Sequence, residues 1–253
     1  MATVHITLQK KGGVGKSMVS TMWMQFLDEM GYPVIGIDTD PSNKSFAEFS
    51  ELGVSKLEIL DRNDEIDSRR FDVLVETVCG LEAQDHIVID TGSSCYPSLF
   101  AYLKHNGPLD IIRDAGHRIF IHTPISGGSD VIFTTACLED LISTFPEMPF
   151  IIWKNRYHGD LVIDEKPFEQ FKVYPKLKKH LVAEIEIPHK NPATFGKDVE
   201  LLMAKKHTFK AAINSSMPVM VRQRLKIFWN EACSSMKNAL IFGEPLQVVK
   251  EAE

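Results

Sequence analysis

Along the chain, short apolar runs rich in Val and Ile alternate with stretches in which apolar residues recur every three or four positions. The runs Val4–Leu8, Pro33–Asp38, His86–Asp90, Arg118–His122, Pro149–Trp153 and Leu181–Ile187 are predicted strands. Their alternation with helical stretches is that of βαβ units, which predicts an α/β fold with a mostly parallel sheet flanked by helices on both faces. Val19, Met22, Trp23, Phe26, Leu27 and Met30 keep helical spacing until Gly31 and Pro33 stop them, so the first helix begins between Gly15 and Ser17. A second helix runs through Val131, Phe133, Cys137, Leu138 and Leu141, capped by Ser129 or Asp130 and ended before Pro146. Val221, Leu225, Phe228, Trp229, Ala232, Met236 and Leu240 form the apolar stripe of a long C-terminal helix expected to pack on the sheet. Residues 155–180 are polar, lysine-rich and without a clear period.

Length and composition change this picture little. The 253 residues, 44% hydrophobic and 25% charged, suffice for a deep core, and no mid-chain linker divides them. The expectation is one domain over 1–253, with a helical C-terminal segment from about 194 to 241. A net charge of −6 gives no overall attraction to nucleic acid or anionic lipid, so any such contact needs a local patch. Cys79, Cys95, Cys137 and Cys233 lack CxxC spacing, as suits reduced thiols in a cytoplasm. The N-terminus has no signal-peptide pattern and no segment approaches the ~20 apolar residues of a membrane span, so a cytoplasmic protein is expected.

Candidate chemistry begins between the first strand and the first helix, in Lys11-Gly12-Gly13-Val14-Gly15-Lys16-Ser17. Glycines there let backbone N–H groups turn toward an anion, and the helix N-terminus adds to the attraction. Lys16 is placed to follow β and γ phosphates and the Ser17 hydroxyl to ligate Mg²⁺. A dinucleotide fingerprint starting at Gly13, with Asp38 as its ribose partner, fails at Met18, where its third glycine belongs. Two strands then end in carboxylates: His86–Asp90 ends in Asp90, and Pro33–Asp38 runs into Asp38-Thr39-Asp40-Pro41. An acid at the carboxyl edge of a strand can hold a water of the Mg²⁺ shell. Asp38 and Asp40, two residues apart, project differently and should have different jobs.

Together, Lys11–Ser17, Asp38–Pro41 and Ile89-Asp90-Thr91-Gly92 resemble the ParA/MinD family, the P-loop ATPases with a deviant Walker A loop. The resemblance implies a P-loop NTPase architecture that binds ATP, releases ADP, uses Mg²⁺ and forms a homodimer with ATP. It implies nucleotide contacts from Gly12, Gly13, Val14, Gly15, Lys16, Ser17 and Met18. Lys11 would reach the partner subunit's ATP, Asp40 would orient the attacking water, and Lys11, Lys16 and Asp40 would form the catalytic set. Ser17 would ligate the metal, with Asp38 and Asp90 acting through water, and Asp90-Thr91-Gly92 would be the second switch. Asn155, at a strand end, would read the adenine, with Pro188 beside the base. Lys10 is left as a solvated side chain.

Ser42–Phe46 depart from the glutamine and glycine usual in partition proteins. With His122–Gly128 and Arg222–Lys226, they resemble the plasmid stability and conjugal-transfer branch, the StbB-like and TraL-like proteins. The implied partner is a plasmid-encoded DNA-binding or transfer protein, and the implied setting the cytoplasm, in association with the nucleoid. Two other functions use the same fold. An ATP-dependent electron carrier needs two cysteine ligands per subunit, and Cys95 is joined by Ser126 where a second would fall. A small-molecule ligase needs a substrate constellation that does not stand out. A MinD-type membrane adaptor uses a basic amphipathic C-terminal helix, whereas residues 247–253 are acidic in balance. Lys166, Lys172, Lys176, Lys178 and Lys179 with Arg222, Arg224 and Lys226 could hold DNA without sequence preference if they converge on one face.

Overall fold

The computed structural model describes residues 1–43 and 45–239. In chain order the elements are β1 (Thr3–Thr7), α1 (Lys16–Glu29), β2 (Val34–Asp38), β3 (Ser55–Lys56), α2 (Asp72–Cys79), β4 (His86–Asp90), α3 (Tyr96–Asn106), α4 (Pro108–Asp114), β5 (Arg118–Ser126), α5 (Val131–Thr144) and β6 (Phe150–Asn155). They continue as β7 (Val162–Ile163), β8 (Lys166–Pro167), α6 (Tyr174–Lys178), β9 (Leu181–Glu186), α7 (Lys197–Ala204), α8 (Phe209–Ile213) and α9 (Val219–Ala239). The main sheet has the order β3-β2-β4-β1-β5-β6-β9, and every pairing in it is parallel. β7 and β8 form a separate antiparallel hairpin.

Alternation along each strand separates two cores. Val4, Ile6, Leu8, Ile87, Ile89, Ile119 and Ile121 face α2 to α6. Val88, Phe120, Ile151, Trp153 and Ile185 face α1 and α7 to α9. α9 is anchored by Phe228 and Trp229, whose rings stack on Phe209 of α8 at 5.6 and 4.7 Å. Burial of each such aromatic contributes roughly 1.5–3 kcal/mol. The predicted stripe of α9 is buried at Leu225, Phe228, Trp229, Ala232 and Met236; Leu240, and with it the end of the expected C-terminal segment, lies outside the described residues, as does the acidic tail.

Two expectations are corrected, and three short strands are added. β5 runs on to Ser126 through Pro124, four residues past its expected end. His122, Pro124 and Ser126 direct their backbone groups toward β1, but β1 ends at Thr7, paired with His122. The missing N–H of Pro124 therefore interrupts no ladder, and its carbonyl accepts from Gln9 Nε2 at 3.1 Å. β3 and the β7–β8 hairpin are too short to leave a pattern. Asp130 makes no cap hydrogen bond to α5; its side chain is turned to Lys11 instead.

One polar chain crosses the core between the sheet and α1. Trp153 Nε1 donates to His122 Nδ1 at 2.9 Å, His122 Nε2 lies 3.0 Å from His5 Nδ1, and His5 Nε2 lies 3.0 Å from His86 Nδ1. An indole can only donate, so neutral His122 carries its proton on Nε2 and hands the direction on to His5 and then His86. Burial holds all three imidazoles below their usual range, to about 3 for His122 and about 4 for His86. The unfolded chain then binds more protons than the folded one between these values and about 6.5.

Two outcomes are expected. Stability is full above about pH 6.5 and falls on acidification by up to about 1.4 kcal/mol per pH unit for each of these histidines, measurable as a urea midpoint across pH 4–7. Trp153→Phe leaves His122 Nδ1 buried without a donor and lowers stability by about 1–3 kcal/mol beyond the packing change; an unchanged urea midpoint would show that the chain does not fix these rings.

Candidate functional site

Register assembles the site. Thr7 pairs with Asp90 and Asp38 also pairs with Asp90, so β1, β4 and β2 end level at the carboxyl edge, where open α/β sheets bind ligands. The segments that leave these strands are tied together. The Thr91 hydroxyl donates to the Thr7 carbonyl at 2.6 Å, and the Thr39 hydroxyl to the Asp90 carbonyl at 2.9 Å.

The loop after β1 turns through Gly13 (φ 75°) and Gly15 (φ 98°), left-handed backbone that residues with a Cβ adopt only at a cost of roughly 1–2 kcal/mol. Gly15 occupies the N-cap of α1, without a side-chain cap, so the first N–H groups of the helix face the loop as an anion site. Lys16 is buried, and its ammonium donates to the Lys11 carbonyl at 3.0 Å. Burial pulls its pKa down, while Asp90 and Asp40 oppose the shift. Lys11 points the other way. Its Nζ lies 3.3 Å from Asp130 Oδ1 and 5.9 Å from the centre of the Phe133 ring. Lys10 is exposed at the surface, with its N–H on Cys137 Sγ.

Asp90 is buried. The Ser20 hydroxyl donates to its Oδ1 at 2.7 Å, and Oδ2 has no partner among the described residues. Burial pushes the carboxyl up to about 7 against the Ser17 and Ser20 hydroxyls. A buried carboxylate with one unsatisfied oxygen beside the Ser17 hydroxyl fits Mg²⁺ or its water shell. Mg²⁺ in such sites takes most of its ligands from phosphate and water, so a protein cage is not required. Asp38 differs. Its Oδ1 accepts from Asp40 N at 2.9 Å, and its Oδ2 from Phe46 N and Ala47 N at 3.0 and 2.9 Å. Both oxygens shape the loop from Asp40 to Ala47. Asp40 lies between that loop and Gly92.

Beside the phosphate loop is a cavity of about 320 Å³ lined by Gly13, Gly15, Met18, Asn155, Pro188 and Phe228, within the size range of small-ligand sites. The two predicted base contacts are thus brought together with the loop. Asn155 is also built into the wall. Its Nδ2 donates to the Val14 carbonyl at 3.1 Å, and its Oδ1 accepts from Tyr157 N at 3.0 Å. The turn at 192–196 and the helices α7 and α9 close the far side. Their Phe195 and Val199 fall in the helical segment that carried no sequence signal for a ligand, and Phe228 belongs to the stripe read as packing on the sheet. Ser20 was legible in principle: it stands one turn after Ser17 on the same helix face.

Other predicted features separate. Cys95 is fully buried and its thiol donates to the Gly92 carbonyl at 3.3 Å, an interior position instead of one at a surface where a shared cluster could bind. The basic residues do not converge. Lys176 and Lys178 lie on α6, which packs with α5 on one face of the sheet, and Arg222, Arg224 and Lys226 on α9, which packs on the other. Lys176, Lys178 and Arg224 are paired with Glu139, Glu184 and Asp198.

Fold and site define a P-loop nucleotide-binding protein whose phosphate loop carries a second lysine. Residues 6–232 match the family described as the CobQ/CobB/MinD/ParA nucleotide binding domain. A protein named TraL from Escherichia coli is 37% identical over 243 residues, covering 95% of this chain and 100% of the relative. A second Escherichia coli TraL is 38% identical over 229 residues, covering 90% and 94%. Among solved structures, the MinD cell division protein of Aquifex aeolicus covers 90% of this chain and 98% of its own, at 15% identity and a TM-score of 0.47. The chain belongs to the ParA/MinD family of P-loop ATPases, in the branch that holds the TraL proteins.

Lys16→Ala removes the buried cation of the loop, so ATP affinity should fall by roughly 100-fold or more in titration calorimetry. Undiminished affinity would show that phosphates bind elsewhere.

Proposed function

We propose that the protein is an ATP-driven dimerisation switch that hydrolyses ATP to ADP and phosphate and acts in plasmid stability, partition or conjugal transfer. One observation carries this: the two lysines of a single loop face opposite ways. Lys16 is turned into its own loop, whereas the Lys11 ammonium lies on the surface over the ring of Phe133; that residue and its chain neighbour Ile132 are 67% and 61% exposed. A cation in that position serves a phosphate outside its own site, and the apolar pair beside it suits contact with a second copy.

In the proposed cycle, the N–H groups of Gly12 to Met18 and the Lys16 ammonium hold the phosphates, and Asn155 and Pro188 flank the base. Ser17 would hold Mg²⁺, with Asp38 and Asp90 placed to accept from its waters. Bound Mg²⁺ neutralises charge on the phosphoryl oxygens. Asp40 aims the attacking water, and Lys11 supplies a second positive charge across the dimer interface. Loss of the γ-phosphate removes that contact and the subunits part. The homodimer works in the cytoplasm, at the nucleoid, with a plasmid-encoded DNA-binding or transfer protein. Among the described residues no helix is long and apolar enough to cross a membrane.

Two variants test the cycle. Asp40→Ala keeps the loop, Lys16 and the metal site, so it should bind ATP, lose about 100-fold or more in turnover and accumulate as a dimer. Lys11→Ala should bind ATP as a monomer and neither pair nor hydrolyse. Phosphate release followed together with sedimentation checks both; normal turnover of the first, or a normal ATP dimer of the second, would overturn the corresponding role.

A further inference from the structure

Asp40 is held by more than the loop it belongs to. Its Oδ1 accepts from Ser42 N at 2.9 Å and Asn43 N at 3.1 Å. It also accepts from the Ser94 hydroxyl at 3.3 Å, which comes from the segment after β4. The carboxylate lies against the backbone of Gly92: a Cβ there would fall 2.3 Å from Asp40 Cγ and 2.6 Å from each carboxylate oxygen. Asp40 is 8% exposed, so this packing leaves little room to turn.

The two oxygens of a carboxylate are interchangeable until rotation about Cβ–Cγ is stopped. Here three donors converge on Oδ1, none among the described residues is hydrogen-bonded to Oδ2, and the carboxylate packs so closely on Gly92 that a Cβ there would overlap it. Oδ2 is therefore the oxygen left to accept from water. Two of the donors are backbone N–H groups of the same loop and move with Asp40. Ser94 alone reaches across from the other switch segment. Its single proton is directed to Asp40 because the Ser42 hydroxyl, 3.4 Å away, donates to Ser94 Oγ.

We propose that Ser94 is a positioning residue for hydrolysis: its hydroxyl fixes which oxygen of Asp40 faces water, and it makes that alignment depend on both switch segments being in place. This rests on Asp40 aiming the attacking water. Ser94 touches no phosphate in this account, so it sets turnover and leaves binding alone.

Ser94 is exposed, so Ser94→Ala should fold as the native chain does. With Mg-ATP, its kcat should fall about 10- to 150-fold, the range of one hydrogen bond to a charged group, at unchanged KM. The ATP-bound dimer should live longer by the same factor in a sedimentation or light-scattering chase. Ser94→Thr should restore both, and adding Ser94→Ala to Asp40→Ala should lower turnover no further. The proposal fails if Ser94→Ala has normal kcat and dimer lifetime, if its defect is in KM, or if its effect persists undiminished in the Asp40→Ala background. Normal turnover by Asp40→Ala itself would remove the premise instead, and that outcome is read separately.

Discussion

Three parallel strands end level at one edge of the sheet, and that register brings two aspartates onto neighbouring strands inside the protein. Asp38 and Asp90 are direct partners across β2 and β4, and each opposes the other's ionisation. The protein resolves the conflict unevenly. Asp38 receives three backbone N–H groups and becomes the anchor of the loop that carries Asp40. Asp90 receives the Ser20 hydroxyl on Oδ1, its Oδ2 has no hydrogen-bond partner among the described residues, and burial drives its carboxyl up to about 7 against the Ser17 and Ser20 hydroxyls. One acid has both oxygens hydrogen-bonded to backbone; the other keeps one oxygen without a partner among the described residues. The electrostatics of this acidic pair thus follow from strand register before any loop is considered.

Close backbone approach then joins the loops that leave the sheet. Gly92 lies under the Asp40 carboxylate, and a Cβ on Gly127 would fall 1.9 Å from the Gly159 carbonyl oxygen. Gly127 N donates to the Asn155 carbonyl and Gly128 N to the Asp160 carbonyl at 2.9 and 3.0 Å. The segments after β2 and β4 meet in this way, as do those after β5 and β6. Asn155 extends the second group to the phosphate loop through Val14. The four segments at this edge are therefore in close backbone contact in pairs, and one pair reaches the phosphate loop through Asn155.

Beneath the edge the sheet is stiff. The Trp153–His122–His5–His86 chain spans β6, β5, β1 and β4, and each ring nitrogen inside it is used by its neighbour. On the far side of β6, Lys154 is paired with Glu184 and Glu186 at 2.9 and 3.3 Å, one residue before Asn155. Lys154 is buried, so loss of its partners would leave an uncompensated charge, and this network holds the strand end that carries Asn155. The loops at the carboxyl edge therefore sit on strands braced by this polar chain and by the Lys154 ion pairs.

The sequence by itself determined what depends on local periodicity and on short motifs. The strand-forming runs, the first helix with Gly15 at its N-cap, the phosphate loop, and the carboxylates at two strand ends are all encoded within a few residues of one another. A glycine with left-handed φ or an apolar residue every third or fourth position acts locally. Tertiary structure alone decided how those pieces meet. It extended β5 through Pro124 because β1 stops short, and it turned Asp130 from the expected helix cap to Lys11. It placed α6 and α9 on opposite faces, so the basic residues stay apart. It also brought Ser94 to Asp40 and Phe195 and Phe228 to the phosphate loop, across sequence separations that no period links. Such contacts depend on the three-dimensional path of the chain, since a hydroxyl or an aromatic ring looks the same in sequence whether it faces water, core or ligand.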